Sequence, residues 1–246
     1  MRLAILSDIH ANREAMEACL ADVARRGADR IVLLGDLVGY GADPAFVVDR
    51  AREMVAAGAI AIMGNHDEAA VGAHGGMNAA AEAAAAWTRG VLDEEARAFL
   101  RRLPMEEEEG DILFVHADAS DPEDWRYVQE AEDARRSLEG TEARVVVSGH
   151  THVPALFGLT AAAKLVAFRP VADVPVPLTR PRRWQAVLGA VGQPRDGDPS
   201  ACWGLLDTEA PSLTWHRVPY DIAAAAEKIR AAGLPEVLAQ RLFRGR

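Results

Sequence analysis

Cysteine is nearly absent from this 246-residue chain, which has only Cys19 and Cys202. Each sits alone in an apolar stretch, so neither a disulfide framework nor a thiolate zinc cage is expected, and a reducing compartment is the simpler reading. Long hydrophobic runs are missing as well. None approaches the roughly 20 residues that span a bilayer, and the opening "MRLAILSDIH" turns polar too soon for a signal peptide. A cytoplasmic protein without membrane contact is therefore expected. Positive charge is in deficit: 27 Lys and Arg face 37 Asp and Glu, for a net charge of -10 and a pI near 5.2. Such a surface repels phosphate backbones, and no basic stripe or basic-aromatic interleaving offsets it, so long nucleic acid is not an expected partner.

Half the residues are hydrophobic, at 50%, and 26% are charged. That suits a soluble globular fold, expected as a single domain over residues 1–246. "RLAILS" (2–7), "RIVLL" (30–34) and "AIAIM" (59–63) have strand length and composition. Between them lie a helical pattern over 13–26, closed by Gly27, and another over 44–58, opened by Pro44. This alternation predicts βαβ units and a parallel sheet. Residues 78–103 are alanine-rich and helix-favouring, and could serve as a lid, a dimer surface or core packing. The run Glu106–Glu109 reads as a solvated connection. "DILFVHAD" and "ARVVVSGHTH" are further buried strands. After residue 152, short apolar segments separated by Pro, Gly and Asp predict antiparallel strands, and the tail predicts two helices joined at Gly233-Leu234-Pro235. The expected class is α/β, with two packed mixed sheets flanked by helices.

The apolar strands break in one manner. They end in Asp8-Ile9-His10, Gly35-Asp36, Gly64-Asn65-His66-Asp67, His116, and Gly149-His150-Thr151-His152. Ligands of open α/β sheets bind outside the carboxyl ends of the strands, so these breaks share one edge. Five of the seven histidines lie there, leaving His74 and His216 elsewhere. Carboxylate, imidazole and amide donors without thiolate suit Mn, Fe, Zn, Ni or Co rather than a structural zinc site. Asp8/His10 and His150/His152 are i, i+2 pairs, which point to one side if the segment is extended or just turning. Seven candidate ligands (Asp8, His10, Asp36, Asn65, His116, His150 and His152) are too many for one ion and about right for two, provided a carboxylate bridges. Two metals are a standard way to polarise a phosphoryl group.

These blocks, in this order, resemble the calcineurin-like metallophosphoesterase superfamily, with its D-x-H, G-D, G-N-H-[D/E], lone His and G-H-x-H. "GQPRDGDP" (192–199) and "YDIAAAAEKIRAAGLP" (220–235) are similar to a prokaryotic cytoplasmic branch related to diadenosine tetraphosphatases. The resemblance implies a four-layer α-β-β-α sandwich and two divalent ions. Asp8, His10 and His152 would hold one ion, Asn65, His116 and His150 the other, and Asp36 would bridge. It also implies a metal-bridging hydroxide as nucleophile, His66 as general acid, and Asp67 accepting from His66 to orient it. The function so implied is a phosphohydrolase, as a phosphodiesterase of small diesters or nucleotides. Alternatives are a phosphomonoesterase or phosphoprotein phosphatase, or a silent metal-binding scaffold. Whether the chain forms a homo-oligomer stays open.

The sequence departs from the protein-phosphatase pattern G-D-x-V-D-R-G, reading Gly35-Asp36-Leu37-Val38-Gly39-Tyr40-Gly41; the arginine is missing, which weighs against phosphoprotein substrates. Leu188-Gly189-Ala190-Val191 replaces the Asn-Pro-Gly-Ser stretch common in the resembled branch. Several residues keep two readings. Asn12 either caps the helix over 13–26 or reaches the phosphate. Trp125 and Tyr127 pack or line a pocket. Arg195 meets the phosphate or merely belongs to a tight loop. His74 is a loop residue or faces substrate, and His216 is expected to be structural.

Overall fold

The computed structural model describes residues 1–72 and 76–246, so His74 lies outside the described residues. The expected βαβ start is present as β1 (Arg2–Leu6), α1 (Arg13–Arg26), β2 (Arg30–Leu33), α2 (Pro44–Ala56) and β3 (Ile60–Ala61). Asn12 settles as the cap of α1: its Oδ1 accepts from Ala15 N at 3.1 Å, while its Nδ2 donates to Gly192 O at 2.9 Å. Both polar ends of that side chain thereby hold α1 to the Gly192 loop. Three helices follow, α3 (Asn65–Val71), α4 (Ala79–Val91) and α5 (Glu94–Leu100).

The next elements are β4 (Glu106–Glu109), β5 (Ile112–Val115), α6 (Ala131–Glu139) and β6 (Val145–Ser148). The acidic run is thus a strand, not a connection: β4 pairs antiparallel with β5, opposing Glu106 to Val115 and Glu109 to Ile112. An edge strand needs polar exposed side chains to discourage pairing with another chain, and four glutamates provide that. The chain closes with β7 (Ala155–Leu159), β8 (Leu165–Phe168), β9 (Val176–Pro177), β10 (Arg183–Val187), β11 (Ala201–Asp207), β12 (Ser212–Val218), α7 (Ile222–Ala231) and α8 (Glu236–Arg244).

Two mixed six-stranded sheets result, in the orders β3-β2-β1-β11-β12-β9 and β4-β5-β6-β10-β7-β8. The strands after residue 152 do not form a sheet of their own but complete both halves. β11 adds antiparallel to β1, and β10 adds parallel to β6. Period-two alternation in β1 separates the layers. Leu3 and Ile5 join a core with Phe114, Val147 and Trp184 of the other sheet. Ala4 and Leu6 instead meet Met16 and Cys19 of α1 and Val47 of α2. On the far side, Leu113, Val115 and Val146 pack on Leu138 of α6. The order is helices, sheet, sheet, helix. Phe114, fully buried between the sheets, anchors that layer; Phe114→Ala would cost about 3–5 kcal/mol.

The alanine-rich segment packs as core. Ala81 and Ala84 of α4 meet Ala226 of α7 and Leu238 of α8, and Phe99 and Leu100 of α5 join the core beneath the first sheet. Among the described residues, no helix is long and apolar enough to cross a membrane.

Candidate metal centre

Parallel strands bring five chain breaks to one edge. β1, β2 and β3 end beside Asp8 and His10, Asp36, and Asn65 and His66; β5 and β6 of the other sheet end beside His116 and His150/His152. The chain turns at once after the strands. Asp8, His10, Asp36, His150 and His152 have φ of 53, 50, 51, 61 and 61°. Left-handed backbone costs an L-residue roughly 1–2 kcal/mol, and such strain concentrates at functional sites. The i, i+2 pairs therefore converge through a left-handed turn, not an extended segment. The turn leaves no room at Gly149, where an added Cβ would stand 2.6 Å from Asp8 Oδ2.

Within this edge, ligand atoms gather in two groups: Asp8, His10, Asp36 and His152, and Asp36, His116 and His150. Within each group the ligand atoms all lie within 4.8 Å of one another. Asp36 belongs to both. All six residues are buried.

The hydrogen bonds explain which atom each residue turns inward. Asp8 Oδ2 accepts from Ser7 Oγ at 2.7 Å and from His150 N at 3.1 Å, leaving Oδ1 free to face the centre. Asp36 Oδ1 accepts from His66 N at 2.8 Å, leaving Oδ2. Three imidazoles place Nδ1 against a backbone carbonyl: His10 on Val38 at 3.1 Å, His116 on Leu34 at 2.8 Å, and His152 on Gln193 at 2.6 Å. A carbonyl can only accept, so Nδ1 carries the proton and Nε2 offers a lone pair, the usual arrangement behind a metal-bound histidine. Those Nε2 atoms meet other acceptors: His116 Nε2 lies 3.4 Å from Asp36 Oδ2, His152 Nε2 lies 3.2 Å from Asp8 Oδ1, and the His10 and His152 Nε2 atoms are 3.1 Å apart.

Asp8 Oδ1, Asp36 Oδ2, Asn65 Oδ1 and His116 Nε2 are buried and find no hydrogen-bond donor. Buried acceptors without donors are costly. Inward-turned carboxylate oxygens, an amide oxygen and imidazole lone pairs fit divalent cations of the harder to borderline kind. These residues therefore fit a metal centre.

Electrostatics follow from that crowding. Burial alone would raise Asp8 and Asp36, but the imidazoles of His152 and His116 outweigh it and hold both carboxyls below their usual range. Burial pulls His10 well below an ordinary histidine and His150 down to about 3. Burial would lower His116 too, yet Asp36 lifts it to about 9, so in the metal-free protein its Nε2 holds a proton that an arriving cation would displace. His66 falls to about 4, chiefly through burial, with His152, Arg195 and His116 adding to the effect against Asp36.

One expected pairing is not there. Asp67 does not hold His66. Its Oδ1 accepts from Val38 N at 3.0 Å and its Oδ2 from Gly64 N at 3.1 Å, so it closes the first turn of α3 and ties it to the Asp36 loop. His66 Nδ1 has no hydrogen-bond partner and faces Gly39. A Cβ at Gly39 would lie 2.5 Å from that nitrogen, and its φ of +90° also demands glycine. The His66 ring is held by contact, 4.3 Å from the Tyr40 ring and edge-on to His10 at 4.9 Å.

A cavity of about 580 Å³ opens over the centre, reaching Asp36, His66, His150 and His152 and walled by Tyr127 and Arg195. Its size suits a small substrate. The aromatic pair divides its duties. Both line the cavity, but Trp125 is buried and donates Nε1 to Glu68 at 3.0 Å, whereas Tyr127, 46% exposed, stacks on His150 at 4.2 Å. His216 lies outside it, paired with Asp173 at 2.6 Å. Sequence reasoning missed the supports made by the backbone carbonyls of Leu34, Val38 and Gln193, which carry no side-chain signal. Tyr40, noted only as a departure, proves to be a wall of the His66 slot.

Residues 1–210 match the calcineurin-like phosphoesterase superfamily domain. The chain is 34% identical to the protein MJ0912 of Methanocaldococcus jannaschii, over 99% of this chain and 98% of that one. It superposes on the crystal structure of a metallophosphoesterase from Sphaerobacter thermophilus with a TM-score of 0.88 at 36% identity, covering 100% of this chain and 99% of that one. A hypothetical protein from Pyrococcus horikoshii shares the fold alone, with a TM-score of 0.80 at 19% identity over 100% of this chain and 98% of that one.

Proposed function

This chain belongs to the calcineurin-like phosphoesterase superfamily, and from that premise we propose that it is a dinuclear metal-dependent phosphohydrolase cleaving small phosphodiesters or nucleotides. The observation that carries this reading is the convergence of Asp8 Oδ1, Asp36 Oδ2, Asn65 Oδ1 and His116 Nε2, buried and without donors, at one sheet edge. Asp8, His10 and His152 would hold one ion, Asn65, His116 and His150 the second, with Asp36 shared. When bound, the ions supply Lewis acidity, polarising the phosphoryl oxygen and making water nucleophilic near neutral pH.

The remaining work falls to the chain itself. His66 stands beside the centre with its ring buried and held neutral in the free protein. An arriving phosphate, being anionic, raises its proton affinity, so the imidazole gains a proton as substrate binds and can return it to the departing alkoxide. Asp67 keeps α3, and with it Asn65 and His66, against the Asp36 loop. Tyr127 and Tyr40 exclude water from two sides of the cavity.

The test is turnover of bis-p-nitrophenyl phosphate against p-nitrophenyl phosphate, after chelation and reloading with manganese, beside a His66→Ala control. Metal-dependent diester cleavage that is lost on chelation, and reduced in the control by less than for esters of alkyl alcohols, supports the proposal. Metal-loaded protein that cleaves neither compound contradicts it.

A further inference from the structure

Arg195 is a cation with no counter-ion in a strongly acidic protein. No carboxylate lies within ion-pair distance of it among the described residues, although acids surround its loop. The neighbouring carboxylates are spent elsewhere: Asp196 pairs with Arg217, and Asp198 lies 3.9 Å from the same guanidinium. Arg195 Nη2 donates to the Tyr40 hydroxyl and to Gln193 Oε1, both at 3.2 Å, while its Nε is buried and finds no acceptor. The backbone is fixed too, since Arg195 N donates to His152 O at 3.2 Å. The guanidinium lies 5.6 Å from the centre of the Tyr40 ring, which in turn packs on His66 and His10.

Holding a half-buried guanidinium unpaired costs desolvation with no ionic return. Here two neutral acceptors aim it into the cavity shared with Asp36, His66 and His152. A planar guanidinium with spare N–H donors binds phosphoryl oxygens in forked fashion. From this geometry we infer that Arg195 binds a non-bridging phosphoryl oxygen of the substrate and so selects for the charge of the phosphoryl group. The inference rests on the phosphohydrolase reading for the word substrate, but not for the binding of an anion. Tyr40 and Gln193 act as positioning residues for Arg195.

The test separates the two. Inorganic phosphate is titrated calorimetrically into manganese-loaded wild type and Arg195→Gln at pH 7.5, and kcat and KM for the nitrophenyl esters are measured alongside. A charge-assisted contact predicts phosphate binding weakened about tenfold or more in Arg195→Gln. The KM rises by a similar factor with kcat little changed, more for the dianionic monoester than for the monoanionic diester. Arg195→Lys keeps the charge but loses the fork, and is expected to fall between the two. A strut that only braced the loop would not sort substrates by charge. Phosphate affinity and KM within about twofold of wild type in both variants overturn the inference, as does a wild type that binds no phosphate. Phosphate binding that depends on Arg195, in a protein that cleaves neither ester, upholds the inference while sinking the phosphohydrolase reading.

Discussion

Among the described residues, two clusters of histidine and aspartate, one around buried Asp22 and one around buried Asp36, are built on opposite balances. Around Asp22 every carboxylate is met by donors: Arg26 Nε at 2.8 Å and Trp203 Nε1 at 3.1 Å reach Asp22 Oδ2, and Arg25 reaches Oδ1. Arg26 also binds Asp173, which pairs with His216 at 2.6 Å. One ring nitrogen, His216 Nε2, is left over. Around Asp36 the proportion reverses, with acceptors facing acceptors and backbone carbonyls consuming the imidazole protons. What distinguishes them is the balance of donors and acceptors: in the first each carboxylate finds an arginine, tryptophan or histidine donor, and in the second Asp8 Oδ1 and Asp36 Oδ2 find none.

Neutralising one aspartate in each cluster should have opposite consequences. Asp36→Asn removes the oxygen shared by both ligand groups. Since losing a mere supporting partner costs 10–100-fold, this change should lower metal affinity and turnover by more than about 100-fold. Asp22→Asn should leave metal content and turnover intact while costing about 1–3 kcal/mol of stability, because its arginines lose their counter-charge. Metal content by elemental analysis and denaturant midpoints read both. If Asp36→Asn retains its metal, the two clusters do not differ as described.

A second effect, on turnover but not on metal content, concerns His66. If it donates a proton to the leaving group, His66→Gln should slow hydrolysis of alkyl diesters by about 10²–10⁴-fold. Nitrophenyl esters, whose leaving group needs no proton, should suffer less. Equal losses for both would limit His66 to stabilising charge.

A third prediction uses acid titration of the metal-free protein. His10, His66 and His150 are held neutral by burial, so between about pH 4 and 6.5 the unfolded chain binds protons there that the native state does not. Asp67 opposes them, because burial and Asp36 raise its carboxyl to about 7 and the native state keeps a proton that the unfolded chain loses above its model value of 3.8. His116, lifted to about 9, opposes them only near the upper end of the window, so lower down three groups against one make the slope positive: stability should rise with pH there and fall on acidification. His66→Gln should flatten the slope. Denaturant midpoints at pH 5 and 6.5 measure it, and a midpoint that falls as pH rises would reverse the sign.

The smallest effect belongs to His216. Asn in its place should cost about 1 kcal/mol and leave phosphoester turnover unchanged, in contrast to any ligand of the centre.

Much of the centre is legible in the sequence because its ligands interrupt apolar strands. Polar residues at the ends of "RLAILS", "RIVLL" and "AIAIM" have no packing reason to be buried, and the parallel topology brings those ends together. The remainder is illegible for physical reasons. The left-handed turns at Asp8, His10 and His150 fall on residue types enriched there among non-glycines, yet only a small share of such residues are left-handed, so propensity is too weak to announce them. Asp67 was open to a better reading, since an acidic residue three positions after the capping Gly64 is a helix-start signal. The strand of Glu106–Glu109 hid behind its charge, because an edge strand tolerates the composition of a loop. Helix α6, at nine residues, carried too short an apolar stripe to stand out.

Two ligand groups share Asp36, and that sharing sets how many ions the centre can hold. Its most direct test is the number of manganese ions bound per chain after chelation and reloading, in wild type and in His116→Ala. Two ions are expected in the wild type and one in the variant, because the Asp8, His10 and His152 group remains. One ion in the wild type, or an unchanged count in the variant, would contradict it.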